Sequence, residues 1–452
     1  MADARSSKSL LFLLLLLLFS LLNLVPGALV VSASSDKVIH DKLSFDRIFQ
    51  FGDSLSDTGN LIRDNPIGGH PFSSFPYGQT IHRPTGRCSD GLLMIDYIAK
   101  FFHLPLLNPY LNKQANFTFG VNFAVAGSTA LDTATLRAKG IISPATNSSL
   151  SIQLNWFSSH LHSMHMCGGN LDCMASVVGK SLVMMGEVGG NDYNYALLEG
   201  KSMEELYKMV PEVVRAIKEA VKEVINMGAI RIVVPGNFPI GCMPIYLALF
   251  ETQDSGAYDE LRCLKGLNDF AKFHNEQLKA AIRELRREHP NVAVVYGDYY
   301  HGLRWIVKNA ASLGFNKDGL QKTCCGSGNN KYNFNLTRMC GYEGTTVCED
   351  PSESYSWDGI HLTQHAYLHM AQWLLRRIVP GILQFEQQSF PITGSENTEK
   401  QGQIDQAQET LEIKNSISSS RTSTKAASAL PRTSFEAFAN SPLAIFLRES
   451  QY

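Results

Sequence analysis

The segment Arg47-Ile-Phe-Gln-Phe-Gly-Asp-Ser-Leu-Ser-Asp-Thr-Gly-Asn60 changes from apolar to polar at Gly52. Its first part, Arg47–Gly52, lacks clean alternation and predicts a short strand buried on both faces. Its second part predicts an abrupt polar turn at the strand's carboxyl end. The same change recurs twice. Phe117–Val125 runs into Gly127, and Ser181–Gly186 runs into Gly189-Gly-Asn-Asp192. Arg231–Pro235 and Asn291–Tyr296 predict a fourth and a fifth strand.

Helical patterns lie between these runs. Ser202-Met-Glu-Glu205 reads as a capping box. After it, Leu206, Val210, Val213, Val214, Ile217, Val221, Val224 and Ile225 keep one apolar face until Gly228. Tyr258–His289 predicts a second long helix stopped by Pro290, and Leu362–Val379 a last one. Strands alternating with helices predict a three-layer α/β/α fold around a mostly parallel five-stranded sheet. Such sheets bind ligands beyond the carboxyl ends of their strands, so the polar turns are where chemistry is expected.

The chain has 452 residues, 44% hydrophobic and 18% charged, with a formal net charge of -2. With 40 basic and 42 acidic residues there is no bulk electrostatic attraction for nucleic acid, and no such partner is expected. Twenty-four Phe, 16 Tyr and 4 Trp exclude a wholly disordered chain. Arg5 and Lys8 precede an apolar run, Leu10–Val25, followed by the small residues Gly27, Ala28, Ser32 and Ala33. This order predicts a secretory signal peptide over 1–33, cut after Ala33. The run is shorter than the ~20 residues of a spanning helix, which disfavours a retained anchor. The expected division is then a leader over 34–45, a catalytic domain over 46–385 and a disordered tail over 386–452. That tail is rich in Ser, Thr, Gln and charge. Secretion to the cell exterior is expected, with the vacuole as second destination. A soluble monomer without stable membrane insertion is expected.

Nine cysteines fit an oxidising route. Cys167 and Cys173 flank a short loop, Cys242 and Cys263 flank an insertion, and Cys324, Cys325, Cys340 and Cys348 cluster. Cys88 is the residue left unpaired, and spacing leaves the connectivity of the cluster open. A zinc site there is disfavoured by the absence of paired C-x-x-C spacing. Sequons at Asn116, Asn147 and Asn335 are candidate glycosylation sites.

No P-loop, H-E-x-x-H or G-x-S-x-G pattern occurs. Ser54 instead follows the first strand between Asp53 and Leu55, at the open edge of the predicted sheet. A serine hydroxyl needs a base in hydrogen-bond reach and a third group to orient that base. Asp358-Gly-Ile-His361 offers both on one side of a turn. His361, His365 and His369 recur at spacing four, but the last two read as ordinary helix positions, and no metal or cofactor is expected. His160, His162 and His165 read as a solvated face or loop.

Four blocks in this order carry a specific resemblance: Phe51-Gly-Asp-Ser-Leu55, Gly120-Val-Asn-Phe-Ala-Val-Ala-Gly127, Gly189-Gly-Asn-Asp192 and Trp357-Asp-Gly-Ile-His361. From about Asp46 to Phe385 the chain resembles the plant GDSL esterase/lipase family, within the SGNH hydrolases and their flavodoxin-like architecture. Arg83-Pro-Thr-Gly-Arg-Cys-Ser-Asp-Gly91, Gln153-Leu-Asn-Trp-Phe157 and Tyr332-Asn-Phe-Asn335 are similar to the subgroup of sinapine and acetylajmalan esterases. The resemblance implies a serine nucleophile at Ser54, a general base at His361 and its orienting partner at Asp358. It also implies an oxyanion hole made by the N–H of Ser54, the N–H of Gly127 and the side-chain amide of Asn191. Ser128, where many relatives carry alanine, and the long tail depart from the pattern.

The expected activity is hydrolysis of carboxylic esters through an acyl-enzyme on Ser54. Small acyl or phenolic esters come first, with lipids as a further class. Aromatic residues at Phe72, Phe75, Tyr77, Tyr193 and Tyr195 offer faces for a phenolic acyl group or a quaternary ammonium, or equally serve packing. Acyl transfer to an alcohol, and a catalytically silent binding glycoprotein, remain alternatives. A metal-dependent hydrolase using the helix histidines is the least supported.

Overall fold

Five short parallel strands form the sheet, in the order β2-β1-β3-β4-β5. They are β1 (Arg47–Gln50), β2 (Gly120–Asn122), β3 (Ser181–Met184), β4 (Arg231–Pro235) and β5 (Ala293–Gly297). The computed structural model describes residues 43–389. The expected signal peptide, most of the leader and the tail beyond Ser389 lie outside the described residues.

β1 pairs with β2 through Ile48–Gly120 and with β3 through Ile48–Leu182, so it lies inside the sheet. Every residue of β1 but Arg47 is buried, as the non-alternating pattern requires of a strand covered on both faces. Phe49 and Phe51 pack with Phe123 and Phe157, the Phe51 and Phe123 rings stacked at 5.3 Å.

Helices cover the sheet in two groups: α1 (Met94–Phe101), α2 (Leu150–His162), α3 (Gly190–Leu198), α4 (Met203–Asn226), α5 (Lys265–Glu288), α6 (Tyr299–Lys308) and α7 (Gln364–Ser389). α4 packs on α2 and α5, while α7 packs on α1 and α6, and both α5 and α7 reach β5. The capping box forms as its sequence predicts. Ser202 Oγ accepts from the Glu205 N–H at 3.3 Å, and Glu205 Oε2 accepts from the Ser202 N–H at 2.8 Å. Leu206, Val210, Val213, Val214, Ile217, Val221 and Val224 are buried, whereas Ile225 is only half-buried.

Two helix boundaries differ from expectation. α5 begins at Lys265, not Tyr258, because the preceding residues form a separate turn. Asp259 Oδ1 accepts from the N–H groups of Leu261 and Cys263, Arg262 is left-handed at φ 61°, and Cys263 is bonded to Cys242. α7 runs past Pro380 to Ser389. Continued packing outweighs the missing N–H: Ile382 is fully buried, and Glu386 pairs with Arg231 at 2.6 Å.

The disulfides are Cys167–Cys173, Cys242–Cys263, Cys324–Cys348 and Cys325–Cys340, with Cys88 free and buried. The last two brace a segment that lies along residues 356 and 357. The N–H groups of Cys324 and Cys325 donate to Ser356 O at 3.0 Å and Trp357 O at 2.7 Å.

A few backbone bonds continue past the strand ends, Val125 N to Gly52 O and Asp53 N to Glu187 O, both at 3.1 Å, and buried polar side chains reinforce them. The Asp57 carboxylate accepts from the N–H groups of Gly59, Asn60 and Leu61 on its own loop, and from Ala126 beyond β2 at 2.8 Å. Asn60 Nδ2 donates to Asn122 O and Ala124 O, and Asn122 Nδ2 returns a bond to Ser56 O. Asp192, past β3, accepts from the N–H groups of Ala130 and Leu131, both at 2.9 Å. The three loops are thus tied together. Replacing Asp57 with Ala leaves four buried donors without a partner, and we expect a loss of about 3 kcal/mol or more in chemical denaturation. An unchanged midpoint and slope would refute this role.

Candidate active site

The carboxyl edge between β1 and β3 is where the strand order reverses, the place at which open α/β sheets leave a crevice. Ser54 sits there, half-buried, in the turn directly after β1. Gln153 of α2 clasps the base of that turn: its Oε1 accepts from Gly52 N at 2.9 Å and its Nε2 donates to Gly52 O at 2.8 Å. Among the described residues, the N–H groups of Ser54 and Gly127 donate to no protein acceptor, although both lie in this tied loop cluster.

Gly127 has φ +83°, a conformation that L side chains rarely adopt. A Cβ there would lie 2.3 Å from the Ala145 Cβ and 2.8 Å from the Tyr195 hydroxyl. That hydroxyl donates to Gly127 O at 2.9 Å, which orients the peptide. Asn191, in the first turn of α3, directs its amide nitrogen to Ser128 O at 2.9 Å and to Asp53 Oδ2 at 3.3 Å. Its Oδ1 accepts from Asn194 Nδ2 at 3.3 Å. The Asn191 amide is therefore already engaged.

Asp358 and His361 meet as their spacing predicts. His361 Nδ1 lies 2.7 Å from Asp358 Oδ2, and both side chains are buried. Asp358 Oδ1 accepts from the N–H groups of Ile360 and His361 at 3.0 and 2.8 Å. Burial would raise this carboxyl, but the His361 charge and these hydrogen bonds outweigh it and hold Asp358 below its ordinary value. The Phe72 ring stands edge-on to His361 at 6.1 Å. On the buried Asp53 carboxyl, next to Ser54 in the chain, the His361 charge opposes the rise that burial causes.

A second group of carboxyls lies behind Asn191. Asp53 and Glu187 are a tightly coupled, buried pair. Burial raises both, and the Asp53 charge raises Glu187 further. Asp192 is pushed up to about 7, mainly by burial, against the N–H groups of Leu131 and Ala130. None of these roles was expected from spacing, although Asp53, Asp192 and Gln153 all lie inside or beside quoted motif blocks. What distinguished them was burial, which only the packed chain shows.

Other residues stand elsewhere than expected. Tyr193 is buried with its hydroxyl 2.8 Å from His274 Nδ1, so its ring serves packing. Phe75 is 59% exposed. His160 is not solvated: it packs on Phe49, Phe117 and Phe123, and burial, aided by Arg47 and Lys113, lowers it to about 4. His365 and His369 face each other, Nε2 to Nε2 at 3.0 Å, and His365 Nδ1 donates to Ser352 O. Among the described residues no group of three or more metal-ligating side chains forms. Of the sequon asparagines, Asn116 and Asn147 are exposed and Asn335 is half-buried. Among the described residues no helix is long and apolar enough to cross a membrane.

Comparison with known proteins shows the family of the chain. The family described as GDSL-like Lipase/Acylhydrolase matches residues 48–374. Sinapine esterase of Brassica napus is 46% identical over 332 residues, covering 73% of this chain and 84% of the relative. A GDSL esterase/lipase of Arabidopsis thaliana is 45% identical, covering 74% and 82%. Acetylajmalan esterase 2 of Rauvolfia serpentina is 44% identical, covering 75% and 91%.

The buried acids set a sign for stability. Carboxyls raised on folding stabilise fully below their unfolded value, and that contribution is lost as pH rises through the folded value, about 7 for Asp192. Asp358 acts oppositely: lowered on folding, it stabilises above the ordinary carboxylate range and ceases to do so in strong acid. The melting temperature should fall between about pH 5 and pH 8. Glu187→Gln, which cannot ionise, should flatten that fall. A parent-like slope in the variant would contradict the assignment.

Proposed function

Because the chain belongs to the GDSL-like lipase/acylhydrolase family of carboxylic ester hydrolases, we propose that it cleaves small esters through an acyl-enzyme on Ser54. His361 Nε2 takes the Ser54 proton as Oγ bonds to the substrate carbonyl carbon. The carbonyl oxygen gains the negative charge and is received by the free N–H groups of Ser54 and Gly127. Asn191 supplies a third donor by giving up its longer bond, to Asp53. The carbon–oxygen bond to the alcohol then breaks, and the proton on His361 goes to that alcohol. Water, deprotonated by His361, releases the acid and restores Ser54.

The observation that supports this reading is the buried Asp358–His361 pair: the carboxylate engages Nδ1, which leaves Nε2 available as the base. The imidazolium formed during attack is stabilised by a carboxylate that its surroundings keep ionised. For the substrate, two relatives are named as esterases of sinapine and of acetylajmalan. The Phe72 edge beside His361 suits an ester with an aromatic or short acyl part.

Export completes the proposal. A signal peptide over 1–33 delivers the chain to the cell exterior, where the four disulfides persist. A domain over 46–385 carries the activity, and glycans attach at Asn116, Asn147 and Asn335. Peptide N-glycosidase should lower the apparent mass of the plant-expressed protein, and loss of the shift in sequon variants assigns the sites.

Turnover of p-nitrophenyl acetate should fall about 10⁶-fold in Ser54→Ala or His361→Ala. Asn191→Ala should cost about 10²–10³ in kcat, the scale for losing one oxyanion donor. A phosphonate ester probe should label the parent at Ser54 and leave Ser54→Ala unlabelled. Parent-like turnover in Ser54→Ala would end the proposal.

A further inference from the structure

Asp358 Oδ2 has a second partner from a distant part of the chain. The Tyr77 hydroxyl donates to it at 2.8 Å, across 281 residues of sequence. This is the same oxygen that accepts from His361 Nδ1 at 2.7 Å. With the two N–H groups on Oδ1, the carboxylate has four donors, the number its lone pairs can take.

The Tyr77 side chain cannot leave easily. It is 1% exposed, and its ring packs edge-on against Phe72 at 4.9 Å and Trp357 at 6.0 Å. It belongs to one buried cluster with Cys324, Cys325 and Cys340, the residues of the paired disulfides. Its loop is also pinned to the chain just after His361. Gly78 N donates to Ser89 O, and Ser89 Oγ donates to Leu362 O at 3.0 Å. Asp90 Oδ1 accepts from Gln364 N at 2.7 Å, and Gln364 Oε1 accepts from Leu92 N at 2.8 Å.

We propose that Tyr77 is a positioning residue for the reaction: its hydroxyl holds Asp358 Oδ2 in line with His361 Nδ1 and so sets the plane of the imidazole that faces Ser54. This rests on the reading of Asp358 and His361 as catalytic partners. The two N–H groups fix the Oδ1 end, and with His361 as its one partner the Oδ2 end keeps some freedom to tilt, which the ring bonded to it shares. A second donor on the same oxygen, mounted on a packed ring, removes that freedom. Burial and the facing carboxylate hold the Tyr77 phenol far above its ordinary value, so it remains a donor at every working pH.

Tyr77→Phe keeps the ring and deletes only the donor. It should lower kcat about tenfold, as expected for loss of one hydrogen bond to a charged group, with KM changed by less than about twofold. In an Asp358→Ala background the same substitution should change kcat by less than about twofold, because the oxygen it acts on is gone. A packing role would instead lower kcat equally in both backgrounds, and that result overturns the inference. So does a parent-like kcat in Tyr77→Phe while Asp358→Ala is crippled, which would leave the Asp358–His361 reading intact. If Asp358→Ala itself turned over ester at the parent rate, the catalytic pair and the role of Tyr77 would both be lost. The near-UV circular dichroism of Tyr77→Phe, matching the parent apart from one tyrosine, establishes that the fold is retained.

Discussion

Four backbone N–H groups converge on one buried carboxylate, Asp57, and the carboxyl edge of the sheet is organised by that convergence. The strands here are only three to five residues long, and past their ends backbone pairing thins to single bonds such as Asp53 N to Glu187 O. Loops that leave such strands carry peptide groups that must still find partners away from water. A carboxylate is suited to this because it offers two oxygens and about four acceptor positions with no donor of its own. Burial raises the Asp57 carboxyl, and the four amides oppose that rise. Asn60, Asn122, Gln153 and Asp192 repeat the solution with amide and carboxyl groups. Together they fasten three loops into one rigid rim.

The rim explains how turns far apart in sequence come to one edge of the sheet. The 2-1-3-4-5 strand order puts β1 beside both β2 and β3, so the turns bearing Ser54, Gly127 and Asn191 leave adjacent strands. Asp358 and His361 come from outside the sheet, on a loop before the last helix. That loop is held from two sides. The disulfide-braced segment pairs its backbone with residues 356 and 357, and the Tyr77 loop bonds to 358, 362 and 364. Two covalent staples therefore do for the histidine loop what polar side chains do for the serine loop.

Much of this was legible in the residues themselves. All five strands were found where apolar runs end in polar glycine turns, because strands buried on both faces leave a continuous apolar signature. The capping box at Ser202 was legible because it is local, its two partners three residues apart. The errors also share a cause. The start of α5 was placed at Tyr258 because periodicity persists there, while the Asp259 turn and the Cys242–Cys263 bond, which override it, are not periodic. α7 continues through Pro380 because tertiary burial of Ile382 outweighs a local helix-breaking signal. The burial of His160 was not legible because polarity of residue type says little about burial when neighbouring aromatic rings come from other elements.

The amino-acid order alone determined the layered α/β architecture, the motif blocks that place the chain among the GDSL hydrolases, and the pairing of Asp358 with His361. Each of these depends on residues close in the chain or on a linear pattern. Only the tertiary structure decided which cysteines of the 324–348 cluster join, that burial raises Asp53 and Glu187 together, and that Tyr77 stands behind Asp358. Those facts depend on desolvation and on distances between segments up to 281 residues apart. Neither quantity exists until the chain has packed.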